Sequence, residues 1–261
     1  MSTVQKIVLA LSVVFFCVLY FGFSVKPKKI AAIESNRAET AATVDINNLI
    51  RDVQDDLTSQ QRSLLIAIEK ELQDIEVESN RIDLLKRLSG KWFEYGYPHI
   101  AGFYAEKVAE IVNDETAWSI TGTTFAATFE QDAEDKVKDY ALERATAAFE
   151  NAISLAPDAI QPRVNLALSY VERPPQENPM KGILMLIELN KNYPDNPMIL
   201  TNLGRLAIQT GQFDRAAERL SRVLEIDPEN RTANCLMYQL LTKTDDLERA
   251  KSFGQKCGVE S

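Results

Sequence analysis

The 261 residues are 45% apolar and 26% charged, enough for one substantial folded domain or two small ones, which excludes disorder throughout. A net charge of -9 excludes a general nucleic-acid binder, which needs clustered lysine and arginine to neutralise phosphates. Three cysteines, Cys17, Cys235 and Cys257, lack C-x-x-C spacing, suggest neither a zinc site nor a disulfide framework, and read as small apolar residues. Cys235 and Cys257 would be free to pair only in an oxidising compartment.

In chain order, Ile7 to Val25 is a run of 19 residues without a charge. As a helix rising about 1.5 Å per residue it spans a hydrocarbon core of roughly 30 Å. The run exceeds the ~7–15 residues of a cleaved signal and has no small-residue cleavage site after it. Residues 1–29 are therefore expected to be a single transmembrane anchor with a basic flank. Lys26, Lys28 and Lys29 follow the span against Lys6 before it, so the positive-inside bias puts the C-terminal domain in the cytoplasm. The anchor's length and the absence of eukaryotic sorting signals suit a bacterial inner membrane.

Residues 30–44 lack apolar periodicity and read as a linker. Residues 45–80 form a helical lead-in, in which Leu65, Ile68, Leu72 and Ile75 share one helix face and Thr58 with Gln61 makes a capping box. The seam is too short for a coiled coil and is expected to pack on the next helix pair. Beyond residue 80 the period stays near 3.6, with glycine and proline at helix-hairpin intervals and no convincing strand.

Small residues recur with purpose in this region. Gly182, Ala216 and Ala250 are each 34 residues apart, and Pro194 and Pro228 lie twelve beyond the first two. Two antiparallel helices approach closely only where one offers no obstructing side chain, so Gly204 and Ala216 mark a crossing. Pro228 cannot continue a helix and ends the unit.

Leu200, Leu203, Gly204 and Ala207 fall at the spacing W-x2-L-G-x2-Y, followed by Ala216, Leu220 and Pro228. Residues 197–230 thus resemble a tetratricopeptide repeat. Ala145, Phe149 and Pro157 repeat the second-helix pattern, preceded by Trp118, Thr121, Gly122 and Phe125. A third unit begins with Leu166, Ala167 and Tyr170, and an earlier one uses Leu85, Leu88, Ser89 and Trp92, then Ala101 and Ala105. Four repeats are expected over 82–230 (82–114, 115–158, 160–195 and 197–230), closed by a capping helix pair and tail over 231–261, where bulky Tyr238 replaces the small residue. Two departures stand out: extra residues between Phe125 and Ala145, which longer helices would absorb, and the proline-rich loop RPPQENP over 173–179, a candidate contact site. The whole reads as an all-α helix-hairpin solenoid, a superhelix of tetratricopeptide type preceded by one transmembrane helix.

Stacked hairpins rotate slightly and form a groove lined by their first helices. The residues expected to face it are Asn165, Leu168, Thr201, Asn202, Arg205, Gln209, Gln239 and Lys243, where amides would bond an extended peptide or helix and the two cations would meet a carboxylate. Carboxylate-clamp binding of chaperone tails is not expected, because the basic partners do not line up across three units. Nor is catalysis: there is no G-x-x-x-x-G-K-[ST], G-x-G-x-x-G, H-E-x-x-H or G-x-S-x-G, and the single histidine, His99, suits a satisfied or solvated place at a helix start. No cofactor or metal is expected. The expected function is that of a membrane-anchored adaptor or scaffold for a protein or peptide partner. Two alternatives remain open: a periplasm-facing envelope assembly factor, similar to the tetratricopeptide proteins of cytochrome c maturation, and self-association through the 46–78 helices.

Overall fold

A computed structural model describes residues 45–75 and 77–259. The expected anchor, its flanking lysines Lys26, Lys28 and Lys29, the linker and Cys17 lie outside the described residues. Among those described no helix is long and apolar enough to cross a membrane.

The chain from Ile46 onward is one unit of helices. The lead-in is α1 (Ile46–Asp52), a 3-10 turn (Gln54–Asp56) and α2 (Ser59–Asp74). Thr58 begins α2 with a complete capping box: its hydroxyl accepts from the Gln61 N–H at 3.3 Å, and the Gln61 side chain accepts from the Thr58 N–H at 2.8 Å. Five helix pairs follow: α3 (Glu78–Glu94) with α4 (Pro98–Val112), α5 (Glu115–Ala126) with α6 (Asp135–Leu155), α7 (Ile160–Glu172) with α8 (Lys181–Asn192), α9 (Pro197–Gln209) with α10 (Phe213–Ile226), and α11 (Arg231–Lys243) with α12 (Leu247–Cys257). No described residue is in a strand.

The helix ends follow local chemistry. Asp114, Asn196 and Asn230 cap α5, α9 and α11 by accepting backbone N–H groups that have no partner within the helix. At the other ends, Pro157, Pro194 and Pro228 each sit just past the C-cap of a second helix, where the ring cannot extend the turn. In all three the C-cap N–H still bonds back, from Ala156 to Ala152, from Tyr193 to Leu189 and from Asp227 to Val223, at 2.8–2.9 Å.

Packing runs from each helix to its chain neighbours, and first helices of successive pairs also touch, α5 with α7 and α9 with α11. Small residues sit at the crossings. Ala101, Ala145, Ala167, Ala216 and Ala250 are buried. A methyl group added at Gly122 would come 2.5 Å from the Phe149 ring, and at Gly204 3.0 Å from Leu220. In the first pair Ser89 takes this place, and its hydroxyl donates to the Ala101 carbonyl at 2.9 Å. Trp92 is buried in the same cluster as Leu65, Ile68, Leu85 and Leu88, so this face of α2 is used on α3 within the chain.

Several expectations need correction. The first pair starts at Glu78, not at 82. The extra residues after Phe125 do not lengthen both helices of their hairpin: a 3-10 turn (Ala127–Glu130) follows α5, and α6 alone is extended, to 21 residues. His99 is neither solvated nor satisfied, since it is buried near the start of α4 and its Nε2 has no partner among the described residues. Cys235 and Cys257 are not separate apolar residues but are joined, with Cα atoms 4.8 Å apart, because α12 folds back along α11 and brings its last residue beside the second turn of that helix.

Candidate functional site

Three neighbouring cavities that share lining residues run from α3 across α5 and α7 to Arg205 of α9, and together make up the candidate groove. At one end, Ser89, Gly90 and Phe93 of α3, Val108 and Val112 of α4 and Ala117, Ile120 and Thr124 of α5 line a cavity of about 560 Å³, with Lys86 and Asp114 as the charged lining residues. The next section shares Phe93, Ile120 and Thr124 with it and reaches Gln161 of α7. A third section shares Thr123 and Ala127 with the second and ends on Asn165, Leu168, Glu172 and Arg205.

The first end is apolar although α5 is rich in hydroxyls. Thr124 donates to the Ile120 carbonyl at 2.7 Å, so its hydroxyl is not a free O–H in this end. Phe93 and Ile120 are 50% and 56% exposed, large apolar side chains on two helices that line this cavity, left facing water. Gly90, itself exposed, lines the same cavity. Glycine inside a helix costs about 1 kcal/mol relative to alanine, and a methyl group here would meet nothing within 4 Å, so packing does not require the omission. What the missing side chain does provide is room in the groove.

The other end is polar. Arg205 lies 3.6 Å from Glu172, an ion pair half open to water, and Asn165 is half-buried beside it. Of the residues expected to face the groove, the structure brings Asn165, Leu168 and Arg205 together here. Leu168 also packs into the core formed by α7, α8 and α9. Thr201 and Asn202 are half-buried on α9 outside these sections, and the Asn202 amide donates to the Met198 carbonyl of its own helix at 2.9 Å. Gln209, Gln239 and Lys243 line none of the three sections. The apolar end at Phe93, Gly90 and Ile120 was not anticipated. Its signal in the sequence is a mid-helix glycine beside a phenylalanine one step off the buried Leu85, Leu88 and Trp92 face.

Around the groove two polar contacts fix neighbouring pairs. Arg144 of α6 donates through Nε and Nη2 to the Glu106 carboxylate of α4, joining the first and second pairs. Burial pushes the Glu106 carboxyl above its ordinary range against the pull of Arg144. Arg173, at the base of the proline-rich loop, is clamped by Asp135 at 2.7 Å and Asp139 at 2.8 Å. That anchors the loop's first residue to α6. Among the described residues no group of histidine, cysteine and carboxylate side chains is placed to hold a metal ion.

Comparison with known proteins agrees with the helix-hairpin fold. A tetratricopeptide repeat model matches residues 183–236. Among solved structures, a tetratricopeptide repeat protein from Parabacteroides merdae is 12% identical, with 85% of this chain and 80% of that one covered at a TM-score of 0.52. A thermophilic tetratricopeptide protein from Thermus thermophilus is 17% identical, with 76% and 100% covered at 0.51. MamA from Desulfovibrio magneticus is 16% identical, with 67% and 92% covered at 0.43. No curated protein matches by sequence. The chain therefore carries tetratricopeptide repeat sequence over residues 183–236, within an all-helical hairpin fold of the tetratricopeptide kind.

Proposed function

We propose that the protein is a membrane-anchored adaptor that holds a protein partner in the groove of its helix hairpins. Residues 7–25 supply the anchor in this reading, and the groove supplies recognition. The observation that carries it is the open apolar end, where Phe93 and Ile120 stay exposed in a cavity also lined by a glycine that packing does not demand. Buried aromatic and aliphatic contacts dominate the energy of most interfaces, while polar residues around them set orientation. A bulky apolar side chain of the partner would enter between Phe93 and Ile120, and its polar portion would run toward Asn165 and the Arg205–Glu172 pair.

The experiment is photocrosslinking in native membranes, with the reactive group placed in turn at Ile120, at Arg205 and at the exposed Leu184 of α8. One common adduct from Ile120 and Arg205, absent from Leu184, is expected. An adduct from Leu184 alone would move the contact surface off the groove and reject the reading.

A further inference from the structure

The terminal hairpin is held shut at its open end by more than packing. The helix α12 packs on α11 and has no following helix among the described residues to cover it. Three sets of contacts converge on its last turn. Cys257 is joined to Cys235 of α11, and the 4.8 Å between their Cα atoms lies inside the usual range of roughly 4.4–6.8 Å for such bridges. Arg231 Nε donates to the Cys257 carbonyl at 3.3 Å. Lys256 Nζ reaches the Glu229 carboxylate at 2.8 Å and the Pro228 carbonyl at 3.1 Å. Gly258, at a φ of 85°, then turns the chain away.

We propose that this disulfide is kept in the cell, and that the solenoid is consequently displayed on the oxidising side of its membrane, opposite to the side that Lys26, Lys28 and Lys29 indicate. Disulfides persist in periplasmic and extracellular compartments and are kept reduced in the cytosol. The lysine bias rests on a small difference of charges, whereas the sulfur pairing rests on two residues brought together from 22 positions apart. The oxidant is a protein disulfide donor. The thiolate of one cysteine attacks the donor's disulfide, forming a mixed disulfide and freeing one donor thiolate. The second cysteine's thiolate then displaces the remaining donor sulfur. Two electrons and two protons leave the pair, and the donor is left as a dithiol. The clasp fixes the last helix against α11, the helix that carries Gln239 and Lys243. It is independent of what the groove binds.

The test counts thiols in the full chain as the cell makes it. Cells are quenched in acid and alkylated in denaturant with a polyethylene-glycol maleimide, with and without prior reduction. One modified cysteine before reduction, Cys17, and three after are expected; three before reduction would overturn the proposal. The side of the membrane is read with Cys235→Ser, which frees Cys257. A membrane-impermeant maleimide is expected to label Cys257 in cells with an intact inner membrane, and labelling only after that membrane is broken would overturn the compartment assignment. If Cys235→Ser does not accumulate, Cys257→Ser with Cys235 as the target gives the same readout, and the thiol count on the unaltered chain decides by itself.

Discussion

Gly254 lies beneath the ring of Tyr238, where an added methyl group would stand 3.1 Å from the ring carbons. One repeat earlier the same two positions, 34 residues back, are Gly204 and Leu220, and there the small residue is on the first helix and the large one on the second. The terminal hairpin keeps the close approach by exchanging sizes across the crossing. Tyr238 is thus no departure from the repeat's geometry, since its volume is matched by the volume Gly254 omits.

This exchange predicts coupling. Gly254→Leu alone overpacks the crossing and is expected to cost about 2–3 kcal/mol. Combined with Tyr238→Gly, which restores the arrangement of the preceding repeat, it is expected to recover at least half of that loss. Urea midpoints of the two single variants and the double variant measure it, and strict additivity would show that the residues do not share one site.

Two glycines inside helices should respond in opposite directions. A methyl group at Gly182 would meet the Ala167 carbonyl and come 2.6 Å from the Val171 amide nitrogen, backbone atoms that cannot shift without moving α7. Gly182→Ala is expected to cost about 2–3 kcal/mol. At Gly90 nothing lies within 4 Å, and Gly90→Ala is expected to stabilise by about 1 kcal/mol. Thermal melts of both variants check the sign at each site.

Where sequence reasoning succeeded, the cause was local. The Thr58–Gln61 box, the prolines past α6, α8 and α10, and the small residues at Gly122, Gly182 and Gly204 each act on their own helix or a chain neighbour, so spacing alone exposed them. Where it fell short, the cause was distance. Burial of His99 depends on how the lead-in and the first pair close around it, the Cys235–Cys257 union on how α12 folds back, and the exposure of Phe93 on the width left between α3 and α5. Of the residues chosen for the groove from the repeat register, Asn165, Leu168 and Arg205 line a cavity, and none was chosen at the apolar end.

His99 makes stability depend on pH. Burial pushes its pKa down to about 4, below the ordinary value of 6.5, so the unfolded chain binds the proton more readily than the folded one. Its contribution is intact above pH 6.5 and lost as pH falls toward 4, amounting to about 2 kcal/mol between pH 7 and pH 5. Unfolding free energies of the unaltered chain and of His99→Phe across this window should diverge by that amount, the variant having the flatter profile. Parallel profiles would mean that His99 titrates in water.

The Glu106–Arg144 contact joins the first two pairs, and removing its cation strands a carboxylate that is 9% exposed. Arg144→Ala is expected to cost about 2 kcal/mol, less than the roughly 3–5 kcal/mol of fully buried pairs because water reaches Arg144. Glu106→Gln with Arg144→Met should recover most of it, as measured by denaturant midpoints.

The most direct test of the groove is Gly90→Leu, which adds bulk to the cavity that Phe93 and Ile120 also line while adding a strong helix former. Crosslinking from Ile120 in native membranes is predicted to lose its partner adduct in this variant, with the melting temperature unchanged or raised. An undiminished adduct in a folded Gly90→Leu protein would contradict the account.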